Sequence, residues 1–200
     1  MESKDFYSPL PKIMVLTMIL GFVSCLLFGT IYALHQIDWL FTAAVTCGVI
    51  AYHMLIRFMS PEILQCFFHK QYDYRAWWFQ QRKWEPSIYC FLKVKKWKRN
   101  IISYDPSEFS LRVHSLEEVV NNMCHAEAVH ELIVLLSFTT LLFSIPFRAF
   151  PAFLITAIMA ACMDMIFVII QRYNRPRLMR LIKIPDSSNE KRGVGHENSD

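Results

Sequence analysis

The chain has 200 residues, of which 54% are hydrophobic and only 19% are charged. This balance is too apolar for an ordinary soluble domain and indicates a membrane protein. Five scattered glycines cannot form the glycine-rich loop that holds a nucleotide phosphate after a strand, which excludes Walker-type and dinucleotide-binding enzymes. Six cysteines lie singly without a paired motif, so they are predicted to be free thiols.

Four stretches are long and apolar enough to cross a hydrocarbon core of ~30 Å. They cover about residues 13–34, 39–56, 132–146 and 151–170. The first stretch lacks the cleavage site of a signal peptide, so we expect it to be retained. The link at 35–38 is so short that the first two stretches must form an antiparallel hairpin. We therefore predict an all-α, polytopic integral membrane protein with four transmembrane helices in a single membrane domain, 1–184, and a disordered polar tail, 185–200.

The distribution of basic residues predicts how these spans are oriented. With four spans, the N-terminus, the segment 57–130 and the C-terminus share one side of the membrane. All of the 21 lysines and arginines except Arg148 lie in these three parts of the chain. Because positively charged loops stay in the cytosol, we expect both termini and the segment 57–130 to be cytosolic. The expected location is a cell membrane.

The segment 57–130 interleaves aromatic and basic side chains, and it contains no further apolar run long enough to span. Such a mixture suits the headgroup layer of a membrane, where amphipathic interfacial helices lie. The same mixture can also bind single-stranded nucleic acid, because aromatic rings stack on bases. Between two pairs of spans we favour the membrane surface and expect no nucleic-acid partner.

Two helix starts are predicted around this segment. Ser60 can cap a helix whose first residue is Pro61. Ser115 and Glu118 form a capping box, and the helix that begins there could run unbroken into the third span. The residues that share one face of this second helix are Leu116, Val120, Met123, Glu127 and His130.

Glu127 and His130 are three residues apart, so they are neighbours on a helix. The carboxylate could orient the imidazole, whose other nitrogen would be a general base of the kind that acyl transfer uses. The alternative is a plain polar pair at the membrane interface. Asp164 is the most conspicuous ionisable residue in the spans, where a charge is costly; it either belongs to the site or simply pairs with His53.

Other chemistries fit the sequence less well. His125 and His130 are five residues apart, whereas the zinc-protease motif needs histidines four apart on one helix face. A di-iron bundle needs a second Glu-x-x-His, and the sequence has none. We therefore expect no metal. Cys124 could be an acyl-enzyme nucleophile, although a lone cysteine near an apolar face usually packs.

Three strings follow one another along the second half of the chain: KKWK at 95–98, AExxH at 126–130 and QRYNRPRL at 171–178. The arginines of the last string suit a phosphate or carboxylate at the membrane surface. In their order and spacing the three strings resemble the pattern of the glycosyl-4,4'-diaponeurosporenoate acyltransferase family, over about residues 84–184.

The resemblance implies a bacterial membrane enzyme that esterifies a fatty acyl group onto the sugar of a glycosylated carotenoid. The expected reaction moves the acyl group from a cytosolic thioester, acyl-CoA or an acyl carrier protein, to a sugar hydroxyl of a membrane glycolipid, without a further cofactor. His130 would be the base and Glu127 its partner, with Asp164 as a further member of the catalytic site. The residues expected to hold the donor or acceptor headgroup are Lys96, Trp97, Lys98, Arg172, Asn174, Arg175 and Arg177.

A non-enzymatic membrane scaffold, whose basic face binds anionic lipid or a partner protein, is the opposing hypothesis. Another group transfer on the same helical frame also stays open.

Overall fold

The computed structural model describes residues 8–101, 105–147 and 150–182, and these residues form helices and turns without a strand. Four of their helices are long and apolar enough to cross a membrane. The predicted all-α fold with four spans is therefore confirmed. The tail predicted at 185–200 lies outside the described residues.

The first two spans form an antiparallel hairpin, as predicted. They are α1 (Leu10–His35) and α2 (Asp38–Phe68). Gln36 adopts a left-handed conformation, with φ of 54°, and ends α1. The two helices approach closely at Gly21, where an added Cβ would lie 3.1 Å from the backbone oxygen of Cys47. No residue of α1 is buried within the described chain, so its apolar side chains are available to lipid.

The helix α2 continues through the predicted helix start at Ser60, so that prediction is wrong. Pro61 lies inside α2, and the Ser60 hydroxyl donates to the Ile56 carbonyl oxygen over 2.6 Å instead of capping a new helix. A proline removes only one backbone hydrogen bond from a helix. Leu64, which follows the proline, packs against the buried cluster of Ile56, Val129 and Ile133, and this contact supports α2 past Pro61.

The stretch between the second and third spans, which we term the interfacial segment, consists of short helices joined by turns in its described parts, 69–101 and 105–115. They are 3₁₀ helices at Trp77–Phe79, Lys98–Asn100 and Ser107–Phe109, together with α3 (Glu85–Phe91) and α4 (Val94–Trp97). Several of its large apolar side chains are exposed, as the predicted interfacial position requires: Trp77, Trp78, Trp84, Ile88 and Phe91.

The third and fourth spans form a second hairpin. Its elements are α5 (Leu116–Ser137), a 3₁₀ segment (Phe138–Phe143), α6 (Ser144–Phe147) and α7 (Phe150–Ile182). The predicted capping box is present, because Ser115 Oγ accepts from the Glu118 N–H and the Glu118 carboxylate accepts from the Ser115 N–H. Hydroxyl groups that donate to carbonyls one turn earlier tighten the span after α5, among them Ser137 and Thr140.

The helix α5 packs against both α2 and α7, while α1 lies outermost against α2. Small side chains on α7, Ala157 and Ala161, are buried one turn apart and allow α5 to approach closely. On α5 the predicted inner face is confirmed at Val120, Met123 and Glu127, all of which are buried. Polar side chains from α2, α5 and α7 therefore converge in the middle of the bundle.

Gly21 offers a test of the first hairpin. We expect Gly21→Leu to destabilise the protein by about 1–3 kcal/mol, because its side chain would meet the Cys47 oxygen and Ala51. The measurement is the midpoint of thermal unfolding in detergent. Gly29→Leu is the matched control, since a Cβ at Gly29 meets nothing within 4 Å. Equal midpoints for the two variants would contradict the close approach.

Candidate active site

One cluster of ionisable side chains lies where α2, α5 and α7 meet. His130 on α5 donates from Nδ1 to Asp164 Oδ1 on α7, over 3.0 Å. The other oxygen of Asp164 accepts from Nη2 of Arg57 on α2. Asp164 is only 2% exposed, so these two bonds replace the water that a carboxylate otherwise requires. The His130 ring stacks on Phe167, with 4.6 Å between centroids and 9° between planes.

These contacts fix the state and direction of the imidazole. Because Asp164 can only accept at this bond, Nδ1 of His130 carries the proton and Nε2 is left with its lone pair. Nε2 makes no hydrogen bond with the described part of the chain. The His130 side chain is 24% exposed, which allows a substrate group to reach it. The arrangement is that of a general base held by a buried carboxylate.

His53 lies beside this cluster without joining its hydrogen bonds. Arg57 Nη1 donates to the backbone oxygen of His53 over 2.6 Å. Neither ring nitrogen of His53 has a partner among the described residues. The predicted closeness of Asp164 and His130 is confirmed, but the alternative pairing of Asp164 with His53 is wrong, because both Asp164 oxygens are bonded to other residues.

Glu127 has different partners from the one predicted. Its carboxylate is 0% exposed. Oε1 accepts from Arg172 Nη1 over 2.6 Å, and Oε2 accepts from Arg175 Nη1. The predicted pairing of Glu127 with His130 is therefore wrong. Two guanidinium groups, which keep their charge in proteins, match a fully buried carboxylate better than a neutral imidazole does.

Arg172 connects this carboxylate to the segment that follows α2. Its Nη2 donates to Glu85 Oε1 over 2.6 Å. It also donates to the backbone oxygens of Trp78 and Gln80, over 3.0 and 3.1 Å. The guanidinium of Arg172 thus bonds both the Trp78–Gln80 stretch and Glu85 of the interfacial segment to α7.

Arg175 makes a second connection of the same kind, through Nη2, to the backbone oxygen of Phe79. Arg175 is only 1% exposed, so the predicted contact with a substrate headgroup does not fit its burial. The guanidinium of Arg172 likewise donates its hydrogen bonds to groups of the protein. We interpret both arginines as groups that position the site rather than bind a headgroup.

Glu85 is the outer member of this network and is 2% exposed. Burial alone would raise its pKa, but hydrogen bonds from Arg172 and Tyr89 outweigh burial and hold the pKa below its ordinary value. Tyr89 donates to Glu85 Oε2 over 2.7 Å. Burial and this carboxylate together raise the pKa of the Tyr89 hydroxyl, which stays protonated.

Two cavities open beside the C-terminal part of α7, and Arg177 lines both. The first, which we term the apolar cavity, has a volume of about 390 Å³. Its lining includes Phe109, Met123, Phe167, Lys98, Gln171 and Asn174. The second, which we term the basic cavity, has a volume of about 490 Å³. Its basic lining residues are Lys93, Lys95, Lys96, Arg177 and Arg180.

The remaining predicted substrate residues divide between these cavities. Lys96 lines the basic cavity, whereas Lys98 and Asn174 line the apolar one, where Lys98 Nζ donates to Asn174 Oδ1 over 2.6 Å. Trp97 lines neither cavity, and its indole N–H instead donates to the backbone oxygen of Leu92 over 2.9 Å.

The two side chains whose roles the sequence left open are built into the packing. Cys124 is fully buried and accepts a weak bond from Arg175 Nη1, at 3.7 Å. His125 Nδ1 lies 3.1 Å from the Tyr72 hydroxyl and fastens the start of the interfacial segment.

Sequence reasoning missed three members of the site. Arg57 marked only the end of an apolar run, Glu85 stood alone among bases, and Phe167 looked like any lipid-facing residue. Each is identified by its partner on another helix, so no local spacing could have indicated it. A charge next to an apolar run, as at Arg57, is the one usable signal.

Four helices long and apolar enough to span a membrane, together with an oriented and partly accessible histidine, are the architecture expected of a membrane-embedded enzyme. Residues 75–184 match the family described as glycosyl-4,4'-diaponeurosporenoate acyltransferase. Because the match covers more than half of the chain, the protein belongs to this family and is an acyltransferase. The matched range includes α5, α7 and all the predicted site residues, but neither α1 nor Arg57. No curated protein and no solved structure matches the chain.

The arginine pair on Glu127 predicts a large effect of a small change. Glu127→Gln removes the charge and leaves Arg172 and Arg175 facing an amide, so we expect a loss of about 3–5 kcal/mol of stability. Thermal unfolding in detergent measures it. Glu117→Gln is the matched control, because Glu117 is exposed on the same helix. If both variants unfolded at the same temperature, the network would not stabilise the fold.

The lowered pKa of Glu85 predicts a pH dependence. Because the folded pKa lies below the ordinary value of 4.5, ionised Glu85 stabilises the fold fully above that pH. This contribution is lost as the pH falls through the lowered pKa. The gap in unfolding midpoint between the native chain and Glu85→Gln should therefore be constant from pH 7 to about pH 4.5 and narrow below it. A gap that widens in acid would contradict the assignment.

Proposed function

We propose that the protein transfers a fatty acyl group from a cytosolic thioester to a sugar hydroxyl of a membrane glycolipid. The observation that carries this proposal is the His130 ring, whose Nδ1 is fixed by buried Asp164 while Nε2 is left for a substrate. The family match supports acyl transfer to a glycosyl carotenoid as the nearest example. The donor and the acceptor's sugar are part of the proposal.

The reaction follows from the roles of these groups. Nε2 of His130 accepts the proton of the sugar hydroxyl, and the oxygen attacks the thioester carbonyl carbon. A tetrahedral intermediate forms and collapses, so that the C–O bond remains and the C–S bond breaks. The imidazolium returns the proton to the departing sulfur, which leaves as a thiol. Asp164 stabilises the imidazolium while it exists.

Phe167 and Arg57 support this cycle from either side. The stacked Phe167 ring limits rotation of the imidazole about its bond to Asp164, so Nε2 keeps one direction. Arg57 pairs with Asp164, so the buried carboxylate has a cationic partner in the middle of the bundle.

The membrane setting supports a lipid acceptor. The site lies where three of the four apolar helices meet, and the bases lie almost entirely on one side of the predicted spans. By the positive-inside rule, both termini and the interfacial segment face the cytosol of a bacterial cell. A glycolipid would then approach His130 from the inner leaflet and the thioester from the cytosol.

The scaffold remains the second candidate because bases and aromatic rings are exposed together. Trp77 and Trp84 are 65% and 61% exposed, and the Arg82 guanidinium lies 4.5 Å from the Trp77 ring centre. Such a surface could bind anionic lipid without any chemistry. The scaffold hypothesis requires charge at the surface but no particular residue at position 130.

Lipid mass spectrometry of a host that makes glycosyl carotenoids tests the two candidates. Cells with the native chain should contain a glycolipid heavier by one fatty acyl group. His130→Gln should lower its rate of formation by about 10²–10⁴-fold, the contribution of a general base. Asp164→Asn should lower kcat strongly while the protein level in the membrane stays measurable.

The matched control is His35→Gln, because His35 is exposed at the end of α1. It should leave the acylated lipid unchanged. If His130→Gln, at equal membrane levels, left the lipid profile of the native chain intact, the enzymatic proposal would fail and the scaffold would gain support.

A further inference from the structure

The basic and apolar cavities meet at one ridge, formed by Arg177 and Tyr173. The Arg177 guanidinium lies 3.7 Å from the Tyr173 ring centre, and Lys98 Nζ lies 4.8 Å from it. Arg177 Nη1 also donates to the Tyr173 backbone oxygen over 2.9 Å. The cationic cavity and the apolar cavity therefore lie on either side of Arg177 on α7.

We infer that the basic cavity binds the phosphate-bearing nucleotide end of an acyl-CoA donor, and that its pantetheine arm crosses this ridge into the apolar cavity. The inference rests on the proposed function and names the donor. Neither His130 nor Asp164 is among the described residues that line the basic cavity, so its bases are separate from the proposed catalytic pair.

The charge of the basic cavity identifies the chemistry of that occupant. No Asp or Glu is among the described residues that line it. Its bases come from two elements, Lys93, Lys95 and Lys96 around α4 and Arg177 and Arg180 on α7. Cations that converge on a concave surface from two sides match a group with several phosphates. A single phosphodiester, as in a carrier protein's arm, would leave most of them unmatched.

The size of the cavity agrees with a small molecule. A volume of about 490 Å³ lies within the range of pockets that hold cofactor-sized ligands. Pro86 is exposed and lines it beside the bases, together with Tyr173 and Tyr89. The Tyr89 ring is held in place, since its hydroxyl donates to buried Glu85.

The apolar cavity leads from the ridge toward the proposed base. Arg177 lies ten residues after Phe167 on one helix, a distance of about 15 Å at ~1.5 Å per residue. Three polar side chains along this path, Lys98, Gln171 and Asn174, can meet the amide groups of a pantetheine arm. The inner end is Phe167, the ring that stacks on His130. A thioester at that end would reach the ring that holds the proposed base.

Two donors separate the phosphate site from the reaction itself. One is an acyl-CoA, and the other is the same acyl group on N-acetylcysteamine, which carries the thioester without any phosphate. The variant is Lys95→Gln/Lys96→Gln/Arg180→Gln. We expect its KM for acyl-CoA to rise by roughly tenfold or more, since charge-assisted bonds to phosphate are lost, while kcat/KM for the short donor stays within about twofold.

The matched control is Lys70→Gln/Lys83→Gln/Arg112→Gln, which removes the same charge from exposed positions outside both cavities. It should leave both donors unaffected. An equal loss with both donors in the cavity variant would mean a structural role and overturn the inference. So would an unchanged KM for acyl-CoA.

Binding of free coenzyme A, measured by calorimetry on the full chain in nanodiscs of zwitterionic lipid, does not depend on turnover. We expect the native chain and the control to bind and the cavity variant to lose roughly tenfold or more in affinity. Binding without acyl transfer would sink the proposed function but not the phosphate site.

Three results would overturn the inference in this assay. One is no binding of coenzyme A by the native chain. The second is binding that dephosphorylated pantetheine matches, and the third is binding that disappears in nanodiscs with anionic lipid, which would assign the cavity to a lipid headgroup.

Discussion

The fully buried carboxylate of Glu127 is the constraint on which the rest of the site depends. A carboxylate without water needs positive charge beside it, and two arginines of α7 supply that charge. The same two arginines then donate to the backbone of the interfacial segment at Trp78, Phe79 and Gln80. One buried charge thereby brings α5, α7 and a surface segment to a common point. The walls of both cavities are parts of the three elements that meet there.

The helical period gives the string at 171–178 two functions. Residues three apart share a face, so Arg172 and Arg175 point together into the protein and bind Glu127. Asn174 and Arg177 form another such pair, and both line the apolar cavity. The same stretch therefore supplies arginines that bind a buried carboxylate and an arginine that lines a cavity. Spacing alone does not indicate which arginine binds the carboxylate and which lines the cavity. The sequence therefore predicts, wrongly, that Arg172 and Arg175 hold a headgroup.

The number and order of the spans could be predicted, because an apolar run of sufficient length has one stable state in lipid. The ends of the helices could not. The predicted spans end at 56 and at 170, just before Arg57 and Gln171, whereas α2 continues to Phe68 and α7 to Ile182. The added turns carry Arg57, Ser60 and Arg172, whose polar groups are satisfied by partners within the bundle. The sequence shows that these turns are polar. It does not show which side chains and backbone groups of the bundle stabilise them in a helical conformation.

The site shows the same limit, and its charges explain why His130 is suited to exchange a proton. Local spacing correctly predicts that Glu127 and His130 lie on one face of α5, but it wrongly predicts that they bond to each other. Their partners lie on α7, and the sequence of one helix does not determine how a neighbouring helix is rotated against it. Within the part of the chain that the structure describes, three carboxylates are almost fully buried: Glu85, Glu127 and Asp164. The arginines bonded to them are Arg57, Arg172 and Arg175. Three negative charges thus meet three permanent positive charges. His130 is not needed to balance any of them, so its Nε2 is left for a substrate.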